Sequence, residues 1–365
     1  MTSQELKLKC RESRVIRVWL GLLCSLLLGM IVLGGATRLT RSGLAIVEWN
    51  PVIGILPPLS SSDWMEAFSK YQHSPEYQLV NKGMTLDEFK SIFYWEYAHR
   101  LVARLIGLAV FVPWVWFASR GHLSRSLSRK LGLGLALGGL QGALGWFMVK
   151  SGLLDRPSVS HYRLAMHLSL GIFILCYFFW LFLGQLSLGL NSSSPSEKSF
   201  SLSFKRLLKG FIALTGLQIV YGALTAGLHA GTLFTTFPKM NGEWIPYSIF
   251  ERAVGFISIF ELVPLVQWIH RLLGTVLLIA CGCGFILYRK VLKAPVQQFF
   301  LRMLLGFVAL QYALGVATLV HAVPVSLGVL HQLGACLVIL SAVGLFFSLG
   351  GSGPFRREAA PKRAE

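Results

Sequence analysis

Eight runs of apolar residues, at roughly 16–36, 98–118, 131–150, 164–186, 208–228, 267–288, 301–321 and 327–349, limit what this 365-residue chain can fold into. A helix needs about 20 such residues to cross the hydrocarbon of a bilayer. Lipid offers backbone groups no partner, so a span is either a helix or a strand of a closed barrel. The runs lack the period-two alternation of barrel strands, which selects helices. Charged residues make up 14% of the chain, against about 25% in a soluble domain. The expected fold is an all-α integral membrane protein with eight transmembrane helices.

The formal net charge of +18 could point to nucleic acid, but its placement does not. Segments 1–17, 119–130, 187–210, 288–302 and 350–365 hold 21 Lys and Arg; the alternate segments 37–95, 150–163, 229–266 and 322–326 hold 10. Positive-inside bias then predicts both termini in the cytoplasm. Anionic lipid is the partner such a surface implies, and no nucleic acid is expected. The first span follows Lys7, Lys9, Arg11, Arg14 and Arg17 and reads as an uncleaved start-transfer helix. The leader is short for a mitochondrial transit segment, so a bacterial inner membrane is expected. None of the six cysteines falls in an outer segment, so no external disulfide is predicted. Cys281-x-Cys283 reads as small apolar packing.

The chain repeats itself. Polar residues 191–206 form a predicted cytoplasmic linker between two four-helix bundles, 1–190 and 207–350, followed by a tail at 351–365. Each half carries two histidines at or near the start of an even-numbered helix: His99 and His167, then His270 and His331. With the N-terminus inside, all four lie toward the outer leaflet. Intramembrane ionisable groups are costly and mark function. Paired imidazoles on facing helices are what two b-type hemes require. His73, His122, His161, His229 and His321 have no counterpart in the other half and are read as non-ligands. The odd-numbered helices have an echo of their own: Leu140-Gln141-x-x-x-Gly145, Leu217-Gln218-x-x-x-Gly222 and Leu310-Gln311-x-x-x-Gly315, with Gly29-Met30-x-x-x-Gly34 in the first. The glycines either let helices approach closely or leave room for a flat macrocycle.

The halves differ at one telling position. Glu96 precedes His99 by three residues and shares its helix face, whereas Gln267 stands before His270. A carboxylate beside one heme and an amide beside the other predicts chemistry with proton handling at the first site and electron transfer at the second. Arg100 and Arg271 each follow a histidine and are candidates for heme propionates, or for snorkelling to the interface. The first outer loop, 37–95, is long and rich in acidic and aromatic residues, and reads as a lid over the N-terminal site; 236–246 is its shorter counterpart.

At these residues the chain resembles the heme A synthase family. The likeness runs through Gly35-Ala36-Thr37-Arg38-Leu39-Thr40-Arg41-Ser42-Gly43-Leu44, Glu48-Trp49-x-Pro51 and Glu96-Tyr97-x-His99-Arg100. It continues through Tyr162-Arg163-Leu164-Ala165-x-His167-Leu168, Thr236-Phe237-Pro238-x-Met240, His270-Arg271 and Val323-Pro324 to His331-Gln332. The first outer loop lacks a cysteine pair, as in the proteobacterial and mitochondrial form. The resemblance implies oxidation of the C8 methyl of heme O to a formyl, by two hydroxylations and loss of water, giving heme A for cytochrome oxidase. It implies a heme b held by His270 and His331. It also implies substrate heme iron between His99 and His167, with Glu96 at the chemistry. Implied partners are a heme O synthase, an electron donor or acceptor and cytochrome oxidase assembly factors; a homo-oligomer is compatible. The rivals are a bis-His diheme electron carrier like cytochrome b, and a heme transporter.

Overall fold

A computed structural model describes residues 3–48, 53–153, 157–186 and 195–350. The tail at 351–365 and Trp49 to Pro51 of the sequence motif lie outside them. The described residues form twelve helices: α1 (Ser3–Leu39), α2 (Ser61–Gln72), α3 (Pro75–Leu79), α4 (Leu86–Ser119), α5 (Arg125–Gly152), α6 (His161–Gln185), α7 (Pro195–Gly227), α8 (Tyr247–Arg252), α9 (Ser258–Glu261), α10 (Val263–Tyr288), α11 (Pro295–Val320) and α12 (Val325–Ser348). They contain no strand. Eight of the helices, α1, α4, α5, α6, α7, α10, α11 and α12, are long and apolar enough to cross a membrane. Their outward faces carry exposed Leu105, Leu108, Phe111, Val112, Ile279, Ile286 and Leu287, which suits lipid rather than water. Helix α7 begins at Pro195, so helix covers 195–206 of the stretch read as linker.

Contacts close each half into a ring of four. In the first, α1 touches α4 and α6, and α5 bridges α4 and α6; in the second, α7, α10, α11 and α12 pack in cyclic order. The halves meet where α1 and α6 face α7 and α12. Gln332 Nε2 on α12 donates to the Ile31 carbonyl on α1 at 2.7 Å, and an Arg38 N–H donates to Ala226 O at 3.2 Å. Each ring has its apolar core at one end. Leu20, Leu23, Val110, Leu131 and Phe178 fill the first; Leu208, Leu277, Leu301, Leu304 and Leu345 fill the second. Those residues lie toward the starts of the odd spans and the ends of the even ones, opposite the histidines. Cys281 is buried in this core and Cys283 is exposed, which fits packing rather than a shared ligand.

The first outer segment folds on itself. Ser60 and Asp63 form a capping box that starts α2, and Thr85 and Glu88 form another that starts α4. Trp64, Phe68 and Tyr71 then pack on Phe89 and Phe93, which lie in the outward extension of α4. Tyr71 and Phe89 stack with centroids 5.1 Å apart. Within this cluster Tyr71 donates to Glu76 Oε2 at 3.2 Å, and both residues are buried. Burial pushes the Glu76 carboxyl up from 4.5 to about 7. The neutral carboxyl therefore favours the folded lid: that contribution is whole below about 4.5 and is lost as pH rises through about 7. Hydrogen exchange of residues 61–79 should accordingly quicken, beyond the intrinsic base-catalysed rise, between pH 5 and 8. Glu76→Gln should remove that excess; an unchanged pH profile in the variant would refute the assignment.

Candidate functional site

The four predicted ligands sit on α4, α6, α10 and α12. His167, His270 and His331 lie within two turns of their helix starts, as expected. His99 does not: α4 starts at Leu86, thirteen positions earlier, because the second capping box carries the helix out beneath the lid. Each ring lies against a glycine of the preceding span. A Cβ at Gly34 would stand 3.0 Å from His99 Cε1, one at Gly145 3.0 Å from His167, one at Gly222 3.2 Å from His270, and one at Gly315 2.8 Å from His331. The repeated glycine thus clears space for the imidazole itself. A methyl at Gly315 would require the His331 ring to shift, and at the other three it would crowd the ring by a few tenths of an ångström.

Within the second ring, the His270 and His331 imidazoles stand 6.4 Å apart at their centroids, with planes at 86°. Two imidazoles bonded to one metal ion at about 2.0 Å each would have centroids roughly 6 Å apart. Nδ1 of all four histidines is buried and makes no hydrogen bond. No group of three or more His, Cys, Asp or Glu forms a metal cluster among the described residues. The donor set is therefore buried imidazoles at one end of each bundle, facing one another in the second, with the apolar cores at the opposite end. That suits an iron carried in a macrocycle, which brings its own four equatorial donors.

Glu96 is 2% exposed, so it does not face water as an interfacial carboxylate would. Its Oε1 accepts from Arg100 Nε at 3.1 Å and from a terminal Arg100 N–H at 2.6 Å; its Oε2 accepts from Ile46 N at 2.8 Å. Arg100 also donates to Ile46 O at 2.9 Å and Glu48 O at 3.0 Å. The pair clamps residues 46–48 of the lid onto α4. The second half repeats the clamp with the polarity changed. Arg271 donates to Phe234 O at 2.7 Å and Thr236 O at 2.8 Å, and Gln267 Nε2 donates to Phe234 O at 2.9 Å. The first loop presents an N–H to the helix and the second presents a C=O. A carboxylate answers the former and an amide the latter. This backbone role of the Glu/Gln pair was invisible in the sequence, because the orientation of a loop peptide leaves no residue signature. Arg100 and Arg271, read as candidates for propionates or for snorkelling, are engaged with loop carbonyls.

The remaining histidines are placed elsewhere. His161 and His229 line a cleft at the junction of the halves, together with Ser151, Ser160 and Gly227. His229 lies 3.2 Å from an Arg38 guanidinium nitrogen. His73 and His321 cap their own helices through Nδ1 contacts with Ser69 O and Ala317 O, at 2.8 and 2.9 Å.

The sequence profile of COX15-CtaA, a family described as cytochrome oxidase assembly protein, matches residues 17–343. The chain belongs to this family. The matched stretch holds all four histidines, Glu96, Gln267, Arg100 and Arg271, so the COX15-CtaA match spans the whole ligand frame. Curated relatives named heme A synthase cover nearly the same length. The Nitrosospira multiformis protein is 42% identical over 335 residues, 92% of this chain and 93% of the relative. The Nitrosomonas eutropha protein is 42% identical over 332 residues, 90% and 92% of the two chains. The Brucella anthropi protein is 40% identical over 334 residues, 91% of each.

Proposed function

We propose that this chain is a heme A synthase, a multi-pass oxidoreductase of the bacterial inner membrane that oxidises the C8 methyl of heme O to the formyl of heme A for cytochrome oxidase. Relatives of that name at about 40% identity over nine-tenths of the chain carry the reading. The paired imidazoles support it independently. His270 and His331 would hold a resident heme b, with Arg271 at its edge. His99 and His167 would hold the iron of the substrate heme O, with Glu96 and Arg100 beside it. Heme O would come from a heme O synthase, and an electron donor or acceptor and assembly factors would complete the partner set. Positive-inside bias supports cytoplasmic termini.

Bound heme supplies the redox chemistry; this chain's own residues arrange what surrounds it. The buried aromatic cluster of the lid excludes water from the outer end of the first ring, which strengthens every charge within it. Glu96 lies one helical turn from His99. Arg100 occupies Oε1 with two N–H groups, so a proton would have to be taken at Oε2 in competition with the Ile46 amide. Held in this way, Glu96 acts first as a fixed negative charge opposite the positive charge that develops as the methyl is oxidised.

Acid–acetone extraction of the purified protein tests the reading. Heme B together with heme O or heme A is the expected pigment set. Heme B alone, at two per chain, would instead identify a diheme electron carrier.

A further inference from the structure

The segments that join spans at the histidine end treat their aromatic residues in different ways. In the first half, Trp64, Phe68 and Tyr71 pack on Phe89 and Phe93. In the second, between α7 and α10, Trp244, Tyr247, Phe250 and Phe256 are between 64% and 76% exposed, with exposed Val254 and Ile257 among them. Within α8 and α9 only Ile249 and Ser258 are buried. A contiguous run of exposed large apolar side chains marks a surface that something other than water covers.

The bonds of this segment set its depth. Arg271 holds Phe234 O and Thr236 O, as described above. The Phe237 ring lies 6.2 Å from that of Tyr312. Tyr312 is eight residues, or about 12 Å, inside the histidine end of α11. Asn241 and Gly242, at φ 51° and 93°, then reverse the chain, and Met240 and Glu243 exchange backbone hydrogen bonds at 2.8 and 3.2 Å across the turn. The chain returns along α10, where Trp268 Nε1 donates to Trp244 O at 3.0 Å. Trp268 is five residues, or about 8 Å, inside the start of this membrane-capable helix. Leu272, Val276, Ile279 and Ile286, all exposed, follow it on the same helix face. Trp244 therefore sits at the head of the face that α10 turns to lipid, below the end of the span.

We propose that residues 244–257 lie in the bilayer interface at the histidine end, with Trp244, Tyr247, Phe250 and Phe256 immersed among lipid headgroups and upper acyl chains. Lipid is the occupant because the patch continues the lipid-facing surface of α10. Aromatic side chains suit that depth, where an apolar ring and a polar group are both accommodated. Glu251 and Arg252 are exposed in the same stretch, which fits the headgroup level and not the hydrocarbon. The chain that covers the second bundle at Phe234 and Thr236 is thus tied to the membrane, whereas the first lid closes on an aromatic core of its own. The inference stands on the fold and is independent of the heme assignment.

Photolabelling of the full-length protein tests it. Liposomes of phosphatidylethanolamine and phosphatidylglycerol would be doped with phosphatidylcholine bearing a diazirine near the carbonyl end of one acyl chain, and labelled peptides mapped by mass spectrometry. Peptides from 244–257 should take up label as strongly as the α10 peptide that carries Leu272 and Val276. Phe250→Ser combined with Phe256→Ser should lower that labelling and make the segment more sensitive to added protease. An unlabelled 244–257 beside a labelled α10 peptide overturns the inference. Crosslinks between chains through an unlabelled 244–257 overturn it equally and assign the patch to a second copy. Should the double variant not accumulate, the labelling of the wild-type protein decides by itself.

Discussion

Replacing His270 or His331 with alanine is expected to lower the heme B content of the purified protein by at least about tenfold. The two rings stand 6.4 Å apart with their planes near perpendicular, each packed closely against a glycine of the preceding span. Alanine removes an axial bond and leaves the opposite imidazole to hold iron alone. Loss of an outer-shell partner alone costs 10–100-fold in affinity, and a direct ligand should cost no less. The bundle itself should survive, because its apolar core at Leu277, Leu301 and Leu345 lies at the far end of the ring. Pyridine hemochrome quantification and the low-spin Soret spectrum are the measurements, with the N-terminal pair retained as an internal control. A full low-spin heme B spectrum in both variants would show that iron sits elsewhere.

Much of this was legible in the sequence, and the part that was not has a common cause. Helix number and the placement of the four histidines follow from one-dimensional signals: apolar run length and His residues in matching places. The Leu-Gln-x-x-x-Gly echo was also visible, but its meaning was not. The glycine at 145, 222 or 315 could have served helix packing or a macrocycle; only the coordinates put an imidazole against each one. At 141 and 311 the glutamine four residues earlier lies beside the histidine of the next span, which no sequence pattern marks. Helix α4 was expected from residue 98 because residues 86–97 are too polar for a span. Thr85 and Glu88 cap it there nonetheless, and its added turns are buried by a lid rather than by lipid. The Arg100 and Arg271 clamps escaped for a deeper reason. Their partners are backbone carbonyls, which every residue has and no sequence pattern marks.

Glu96→Gln is expected to lower heme A formation by about 100-fold or more, the usual cost of removing an acid–base group or a charge aimed at a transition state. Heme B content should hold, since that heme belongs to the other half, and heme O or a hydroxylated intermediate should accumulate. The structure adds a competing route to the same loss. A glutamine amide at 96 cannot satisfy both neighbours: its NH2 would meet either the Arg100 guanidinium or the Ile46 amide, donor against donor. Breaking one side of a buried ion pair costs about 3–5 kcal/mol, enough to free residues 46–48 from α4. The two routes separate in Arg100→Leu, which breaks the clamp and leaves the carboxylate in place. Equal loss of activity in both variants, with equally increased proteolysis of residues 42–85, would assign Glu96 to holding the lid. Retained turnover in Arg100→Leu beside a silent Glu96→Gln would assign the loss to the carboxylate's charge. Wild-type heme A production by Glu96→Gln would end the catalytic asymmetry between the halves, and the Glu/Gln difference would then record only which way a loop peptide points.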